Sequence, residues 1–399
     1  MAKLAFEDMK FREEDDRVKA VFMHYYHFYI DKSELESIGD YNVEKEFIEV
    51  DVSEKTAHNK FNRILRRGMN ELVSVLGKPT VYVHRDSGIP LLGTNEFGIV
   101  DRGSNILEVK AHTLCNLDCI YCSVDAGKSS GKGTDFLVEE EYMVEELGKI
   151  ASLKENPVEV QINPQGEPLM YSKIVDLVRD IKVLEGVKTV STNTNGVLLT
   201  EKLVDKLVEA GMDRFNISLN TVNQDTASEL AGNFYLVDKV KDIMRYCDGK
   251  AEVLIAPLIV PTYNEGEIAE LLEFCLSLDN VPRFGFQNFL NYKRGRNPVK
   301  SKGMEWFIDM LRRYEKEYDV KLINSPEDFD ILDDKKIVKP FRKKDVVKAK
   351  IVSSGKYPNQ SLGVAEGRCI MIMEKLSIGS EVNVKIIRGK HNIFQAVPV

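Results

Sequence analysis

Six apolar, β-branched segments alternate with amphipathic segments over about half of the chain, beginning at Ile106. The amphipathic segments have helical spacing: for example, Ile174, Val178 and Ile181 share one face of a predicted helix. Gly186 is predicted to end this helix. Successive β-then-helix units form parallel sheets with right-handed crossovers. Six units are two fewer than a closed (β/α)8 barrel requires, so the sequence predicts an α/β fold based on a partial (β/α)6 TIM-like barrel. The six predicted strands span residues 106–111, 158–162, 187–192, 214–219, 252–260 and 283–288.

The alternation stops on both sides of this region, which predicts four parts. Residues 1–100 are aromatic and mixed in charge, and we expect a small N-terminal α+β accessory domain. Residues 101–325 form the partial barrel, and 326–343 form a basic linker. Residues 344–399 contain short alternating runs broken by Gly and Asn, which predicts a small OB-like β-barrel. The aromatic stretch at His24–His27 is expected to belong to a core strand, with base stacking as the alternative.

Composition limits the class of protein. Hydrophobic residues make up 43% and charged residues 30% of the 399 positions, as in ordinary globular proteins. The chain has no apolar run of about 18 residues and no signal-peptide pattern at its start, so we expect a cytoplasmic protein with no membrane partner. A net charge of -8 argues against indiscriminate coating of nucleic acid but leaves room for local basic patches.

Three of the six cysteines lie together directly after the first predicted strand. Cys115, Cys119 and Cys122 form a C-x3-C-x2-C pattern where parallel sheets place their chemistry. In a reducing compartment such a group indicates metal ligation or catalysis, and thiolates favour zinc or iron-sulfur clusters. A cubane cluster ordinarily takes four thiolates, so three leave one iron open to another ligand. The alternative is a structural zinc site, for which His112 is the one nearby fourth ligand.

With Tyr121 just before its last cysteine, this motif resembles the signature of the radical S-adenosylmethionine (radical SAM) superfamily, over roughly residues 105–320. The resemblance implies a 4Fe-4S cluster on the three cysteines and SAM bound at the remaining iron. It further implies reductive cleavage of SAM to a 5'-deoxyadenosyl radical, with ferredoxin or flavodoxin as the electron donor. In such enzymes the cofactors perform the difficult chemistry and the protein positions them.

The same resemblance implies a set of SAM-binding residues at consecutive strand ends. The stretch "NPQGEP" (163–168) resembles the superfamily's Gly-Gly-Glu-Pro motif but has Gln165 in place of the first glycine. Gly166 permits close backbone approach, and Glu167 is expected to accept a hydrogen bond from the SAM ammonium group. For each later strand end, ordinary capping of the strand is the alternative. The full expected set is Tyr121, Gly166, Glu167, Thr192, Asn193, Asn195, Ser218, Asn220 and Val260.

The C-terminal part resembles the TRAM domain, a small β-barrel attached to several RNA-modifying enzymes. Residues 335–350 contain eight Lys or Arg against one Asp, and residues 293–302 contain five with no acidic residue. Such runs neutralise phosphates, although a solvated face or linker is the alternative. The expected RNA-binding residues are Lys293, Arg294, Arg296, Lys335, Lys336, Lys339, Arg342, Lys343 and Lys344.

These features predict a radical SAM enzyme that modifies RNA, most plausibly tRNA, by a reaction whose outcome the sequence leaves open. One alternative is a radical SAM enzyme for a small metabolite or cofactor precursor, with an architectural C-terminal barrel. Another is a non-enzymatic RNA-binding protein with a structural metal. Cys247, Cys275 and Cys369 are too dispersed for a second cluster. Cys369 is a candidate methyl carrier, with a buried strand position as the alternative.

Overall fold

The computed structural model describes residues 1–399, and its N-terminal part is rich in short strands. Two antiparallel sheets, in the orders β1-β6-β5 and β2-β3-β4-β7, pack with the long helix α2. Of the aromatic stretch expected to be a core strand, Tyr26 and His27 begin β4 and Tyr26 is buried, whereas His24 and Tyr25 lie in the turn between β3 and β4. The elements are β1 Ala2–Ala5, β2 Met9–Glu14, β3 Arg17–Phe22, β4 Tyr26–Asp31, α1 Lys32–Glu36, β5 Tyr41–Val43, β6 Phe47–Val50, α2 Glu54–Asn70, β7 Val73–Ser74 and β8 Thr80–Val83.

The central part contains the predicted partial barrel. Its main sheet has the order β9-β10-β12-β13-β14-β15-β17, in which the six strands from β10 onward are parallel and β9 is an antiparallel edge strand. The elements are β9 Gly98–Asp101, β10 Ile106–Lys110, β11 Asp135–Val138, α3 Glu140–Ala151, β12 Val158–Ile162, α4 Ile174–Lys182, β13 Val187–Thr194, α5 Glu201–Glu209, β14 Arg214–Ile217, α6 Gln224–Ala231, α7 Val237–Cys247, β15 Glu252–Ile255, β16 Leu258–Ile259, α8 Ile268–Leu276, β17 Arg283–Phe284, β18 Gln287–Asn288 and α9 Met304–Tyr318.

The six-stranded α/β prediction is confirmed, with one difference in the last two strands. The predicted strand 252–260 is interrupted between β15 and β16, and 283–288 is interrupted between β17 and β18. β16 and β18 pair with each other in a separate two-stranded sheet. Apolar periodicity alone does not register such an interruption, although Pro257 and Gly285, two residue types that weaken strands, stand at the breaks.

Local sequence signals explain how the crossover helices begin and end. The Thr200 side chain accepts a hydrogen bond from the Leu203 N–H at 3.2 Å and caps the start of α5. Gly186 and Gly211, which follow α4 and α5, have φ values of 83° and 106°. Residues with a Cβ rarely adopt this region, so glycine at these positions lets the chain turn back toward the sheet.

One face of the central sheet is lined by polar side chains. Glu159 on β12 and Arg214 on β14 form a buried ion pair across β13, from which Ser191 donates to the same Glu159 carboxylate at 2.7 Å. Side chains alternate between the two faces of a strand, so the apolar residues between these positions face the helices. The partial barrel therefore has a hydrogen-bonded polar interior and an apolar outer surface.

The C-terminal part is a closed five-stranded barrel, which confirms the predicted small β-barrel. Its strand order is β19-β20-β21-β23-β22, and it has its own apolar core around Phe341 and Phe394. The barrel contacts the segment before β9, where Gly93 is so close that a Cβ would lie 2.1 Å from the Cys369 carbonyl oxygen. The strands are β19 Val346–Ser354, β20 Ser361–Ala365, β21 Arg368–Ile372, β22 Glu381–Arg388 and β23 Gln395–Pro398.

The three parts are closely joined. β8 of the N-terminal part pairs in parallel with β11 of the central part, and one hydrophobic core of 76 buried residues spans both. β9 begins at Gly98, just before the predicted boundary at residue 100. The linker contacts the loop that precedes β10, where the Asp334 N–H donates to the Gly103 carbonyl. No helix has the length and apolar character needed to span a bilayer.

Candidate active site

The three clustered cysteines lie in the loop between β10 and β11, and we call residues 115–134 the cysteine loop. Its backbone is attached to the end of α6, because the Asp118 and Ile120 N–H groups donate to carbonyls of α6 at 3.0 Å. Within the loop, the Cys122 sulfur accepts a hydrogen bond from the Ala126 N–H at 3.3 Å. The loop thus has a defined conformation at the carboxyl end of the first parallel strand.

Arg296 holds the outer side of the cysteine loop. Its guanidinium donates to the carbonyl oxygens of Asp118 at 2.6 Å and Cys119 at 3.3 Å. It also pairs with the carboxylates of Asp118 at 2.9 Å and Asp125 at 3.0 Å. Its own N–H donates to the Cys122 carbonyl at 2.9 Å. These contacts engage the Arg296 side chain, which is only 16% exposed, and favour a role in holding the cysteine loop; its role toward RNA stays a prediction.

The chemistry of the three thiols fits an iron-sulfur cluster. Burial, and then the nearby Cys119, raises the pKa of Cys115, while burial and the nearby Cys122 raise the pKa of Cys119 to about 12. Thiolates crowded in a buried loop repel one another, and bound iron removes that cost because it stabilises the deprotonated form. Soft sulfur ligands are those that iron-sulfur clusters take.

His112, the candidate fourth zinc ligand, uses one ring nitrogen in a local hydrogen bond, while its Nε2 is buried without a hydrogen-bond partner. Its Nδ1 accepts a hydrogen bond from the Leu114 N–H at 3.0 Å, and its ring stacks on Tyr171 with centroids 5.9 Å apart. Burial lowers the pKa of His112 to about 4, so the ring is neutral at physiological pH. Across the chain, no three His, Cys, Asp or Glu side chains are arranged to hold a single metal ion.

The Gly-Glu-Pro turn after β12 packs directly against the start of the cysteine loop. A Cβ on Gly166 would lie 1.8 Å from the Leu114 carbonyl oxygen, so only glycine fits this close approach. The Glu167 carboxylate accepts hydrogen bonds from the Thr194 hydroxyl at 2.6 Å and the Asn195 N–H at 2.9 Å. Burial raises the pKa of Glu167 to about 7. The turn and the end of β13 are therefore joined through one buried carboxyl group.

A small cavity of about 20 Å³ lies beside the cysteine loop and brings together four of the nine expected SAM-binding residues. The Asn220 amide donates to the Tyr121 hydroxyl at 2.5 Å, and its oxygen accepts from the Leu258 N–H at 2.9 Å. The strand ends of β14 and β16 are thereby connected to the cysteine motif. The lining residues are Leu117, Tyr121, Asn195, Ser218, Asn220, Ala227, Ala231 and Tyr235.

The other five expected SAM-binding residues do not line this cavity: Gly166 and Glu167 belong to the turn after β12, and the remaining three lie in strands or directly after one. Thr192 is buried and donates to the Ile162 carbonyl at 3.1 Å. Asn193 accepts a hydrogen bond from Asn216 at 2.7 Å within the polar interior of the barrel. Val260 is buried against Leu230. Their contacts match the alternative of strand-end packing, and their role toward SAM stays a prediction.

Two residues that the sequence did not single out are part of this arrangement. Tyr235 lines the cavity and donates its hydroxyl to the Asn195 carbonyl at 2.7 Å. Asn116, inside the cysteine motif, accepts a hydrogen bond from the Asn195 amide at 2.9 Å. The cysteine spacing does not single out Asn116, Tyr235 stands in no motif, and only the meeting of distant loops brings them to Asn195.

The remaining RNA-binding candidates fall into two separate places. Lys293 and Arg294 lie near the cysteine loop, with the Arg294 guanidinium 4.6 Å from the centre of the Tyr357 ring. Lys335 forms an ion pair with Glu155 at 3.6 Å, and Lys336 packs on Gly103 near the opposite end of β10. Four further candidates, Lys339, Arg342, Lys343 and Lys344, are exposed on the linker and the start of the barrel.

The three dispersed cysteines are all buried. The Cys369 thiol donates to the Pro90 carbonyl oxygen at 3.1 Å on the interface between the C-terminal barrel and the segment before β9. Burial raises the pKa of Cys369 well above its ordinary value. A methyl carrier needs an accessible thiolate, so this position favours the packing alternative.

A surface hollow of about 660 Å³ is far from this chemistry. Its walls come from the segments that precede β15 and β17, including Lys250, Asp279 and Arg283. These segments lie at the amino ends of the parallel strands, opposite the cysteine loop. Parallel sheets place their chemistry at the carboxyl ends, so we do not assign the active site to this hollow.

Comparison with known proteins gives a consistent family match. The model of the radical SAM superfamily matches residues 109–275. The uncharacterized protein MJ0103 of Methanocaldococcus jannaschii is 36% identical over 91% of this chain and 94% of its own length. The GTP 3',8-cyclase of Chlorobaculum tepidum is 31% identical, and the match covers 51% of this chain and 58% of that protein. A probable GTP 3',8-cyclase of Methanocaldococcus jannaschii is 32% identical over 44% of this chain and 56% of that protein.

Among solved structures, Streptococcus suis SuiB bound to S-adenosylmethionine aligns with a TM-score of 0.44 and 17% identity. That alignment covers 80% of this chain and 72% of SuiB.

Proposed function

Because this chain belongs to the radical SAM superfamily, we propose that it applies the superfamily's radical chemistry to RNA, with tRNA as the substrate class. The cluster cysteines are Cys115, Cys119 and Cys122, and the cofactors are a 4Fe-4S cluster and SAM. The enzyme also requires a reductant, for which we propose a ferredoxin or flavodoxin. The reaction that follows hydrogen abstraction is not specified by these residues.

The chain's own residues hold and enclose this chemistry. When bound, the cluster and SAM supply a 5'-deoxyadenosyl radical. We propose that Glu167 accepts a hydrogen bond from the SAM ammonium group, since its carboxyl group lies beside the cysteine loop. Gly166 lets the turn approach the Leu114 carbonyl, and Asn195 and Asn220 present amide groups to the cavity beside Tyr121. Enclosure by these residues excludes water from the reacting atoms.

The observation that carries the RNA proposal is a group of exposed cations without ion-pair partners. Lys339, Arg342, Lys343 and Lys344 are exposed, and none forms an ion pair within 4.0 Å. They continue along the barrel surface to Lys350, which is also exposed and unpaired. Exposed cations that are not neutralised by carboxylates are available to phosphates, and each phosphate contact adds to the salt dependence of binding.

The test compares charge reversal on this surface with matched reversal elsewhere. The variant Lys339→Glu, Lys343→Glu, Lys344→Glu is expected to weaken tRNA binding. The slope of log affinity against log salt concentration should become less steep by about 2–3. The control Lys188→Glu, Lys202→Glu, Lys316→Glu makes the same change in net charge at exposed lysines without ion pairs. Equal tRNA affinity and equal salt slope in both variants would contradict the proposal.

The modified nucleoside is sought separately. Nucleoside mass spectrometry of RNA from a deletion strain is expected to show one missing modification. That modification should return with the wild-type gene and not with the Cys122→Ala variant. A full set of nucleosides in the deletion strain would reject the RNA substrate while leaving SAM cleavage by the purified enzyme unaffected.

A second candidate substrate is a small metabolite or cofactor precursor. The specific observation in its favour is that the C-terminal barrel is built into the wall of the site, because Gly133 in the cysteine loop donates to the Lys356 carbonyl at 2.8 Å. A barrel that supports the cysteine loop in this way has a structural role that does not require RNA binding. Under this alternative, the charge-reversal variant binds and turns over substrate as the wild type does, and no nucleoside is missing.

A further inference from the structure

One lysine of the C-terminal barrel reaches the cysteine loop and is buried there. Lys356 lies between β19 and β20 and is 2% exposed. Its Nζ donates to the Val124 carbonyl oxygen at 2.5 Å and to Oε1 of Gln165 at 2.6 Å. Val124 follows Cys122 by two positions, and Gln165 directly precedes Gly166. A single ammonium group therefore joins the cysteine loop to the Gly-Glu-Pro turn.

The backbone around Lys356 is fixed as firmly as its side chain. The Lys356 carbonyl accepts hydrogen bonds from the N–H groups of Gly133 at 2.8 Å and Thr134 at 3.3 Å. The Gln360 side chain accepts from the Tyr357 N–H at 3.2 Å and closes the turn. The position of the ammonium group is thus set by the barrel and the cysteine loop together.

This contact explains the departure of Gln165 from the glycine of the family motif. Its Nε2 donates to the Asn95 carbonyl at 2.8 Å, which leaves Oε1 to accept from Lys356. Glycine at this position has no side chain to make either bond. The one amide thereby connects the N-terminal segment, the Gly-Glu-Pro turn and the C-terminal barrel.

The charge of Lys356 has no direct carboxylate partner. Its two acceptors are neutral, and it forms no ion pair within 4.0 Å. Burial of an ammonium group without a counterion costs several kcal/mol, about as much as several hydrogen bonds contribute. A 4Fe-4S core of charge +2 with three thiolates has a net charge of -1, and one-electron reduction makes it -2. The anionic groups around Lys356 are the Glu96 and Asp125 carboxylates and the Cys122 thiolate, and a cluster bound to Cys122 adds its negative charge on this side of the ammonium group.

We propose that Lys356 is a positioning residue that places a fixed positive charge beside the cluster and makes reduction of the cluster easier. A nearby cation stabilises the more negative, reduced state over the oxidised one, so it raises the midpoint potential of the couple. The inference rests on the cluster chemistry of the superfamily and does not depend on an RNA substrate. Through Lys356, the C-terminal barrel raises the midpoint potential of the cluster in addition to packing against the rest of the chain.

Three variants of the full-length reconstituted enzyme separate charge from tethering. Lys356→Gln keeps a hydrogen-bond donor without charge, Lys356→Met removes both, and Lys356→Arg keeps both. The matched control is Lys385→Gln, an exposed lysine of the same barrel without an ion pair. Midpoint potentials are measured by dithionite titration followed by electron paramagnetic resonance, together with iron content and thermal unfolding.

A lower midpoint potential is expected for Lys356→Gln and Lys356→Met, with Lys356→Arg and the control close to the wild type. If Lys356→Gln has the wild-type potential while Lys356→Met loses iron or stability, the lysine is only a tether and the proposal is overturned. Equal potentials in all variants also overturn it. If Lys356→Met does not fold, the comparison of Lys356→Gln with Lys356→Arg still decides the question. Loss of tRNA binding in the Lys339→Glu, Lys343→Glu, Lys344→Glu variant is a result about the RNA proposal and is independent of these potentials.

Discussion

Replacement of Arg296 by methionine tests whether this residue shapes the cysteine loop or contacts RNA. Methionine keeps the length and apolar stem of the side chain but removes the bonds to the Asp118 and Cys119 carbonyls and the ion pairs with Asp118 and Asp125. We expect the loop to become less ordered before iron binds, because two carboxylates and two carbonyls lose their common partner.

The magnitude follows from how far these groups are buried. Loss of one partner of a fully buried ion pair costs about 3–5 kcal/mol, and exposed pairs contribute about 0–1 kcal/mol. The Arg296 side chain is 16% exposed and the Asp125 side chain is 16% exposed, so water partly replaces the lost contacts. We therefore expect a cost of about 2–3 kcal/mol, which is roughly a 30- to 150-fold lower population of the ordered loop.

The assay is iron content after reconstitution at limiting iron, with hydrogen exchange of residues 118–131 in the iron-free chain. Arg296→Met is expected to bind iron more weakly and to exchange faster in this segment. The matched control is Arg294→Met, whose guanidinium stacks on Tyr357 and has no carboxylate partner, so it should behave as the wild type. Wild-type iron binding and loop protection in Arg296→Met, with weakened tRNA binding, would refute the reasoning.

Three further substitutions test other parts of the structure. Gly166→Ala places a Cβ 1.8 Å from the Leu114 carbonyl oxygen. It is expected to lower the free energy of unfolding by about 1–3 kcal/mol and to weaken SAM binding. The control Gly266→Ala, whose Cβ would have no atom within 4 Å, should do neither. Cys369→Ala is expected to lose about 1 kcal/mol in chemical denaturation yet keep SAM cleavage and product formation; loss of product alone would restore the methyl-carrier hypothesis. Glu140 is buried at one carboxylate oxygen, and burial raises its pKa to about 7. A carboxyl group whose pKa is raised on folding makes the folded state less stable as pH rises from about 4.5 through 7. Glu140→Gln should therefore increase the free energy of unfolding by about 1–2 kcal/mol at pH 8 and leave it unchanged at pH 4. Equal effects at both pH values would contradict this.

Much of the architecture was legible from the sequence because it depends on short-range patterns. The strand and helix periods predicted the six parallel strands, and the short runs after residue 344 predicted the closed barrel. The edge strand β9 and the interruptions after β15 and β17 were missed. They arise from pairing with other strands, which leaves no periodic signal within the segment itself.

The site was legible only where its residues stand in a local motif. The spacing of Cys115, Cys119 and Cys122 and the Gly-Glu-Pro turn are such motifs, and each lies at the end of a predicted strand. The basic runs did not reveal the ion pairs of Arg296, since net positive charge in a segment does not show which cations are already paired. Ion pairing is decided by contacts such as that with Asp125, which is 171 positions away.

By itself, the sequence determined the fold class, the chain's resemblance to a radical SAM enzyme and the identity of its cluster cysteines. All three depend on residues a few positions apart, whose geometry is fixed by the helix and strand periods. Only the tertiary structure decided that Arg296 supports the cysteine loop and that Lys356 reaches Gln165 from 191 positions away. Such contacts form when separate units pack, and burial then gives a side chain a charge environment that its sequence neighbours do not contain.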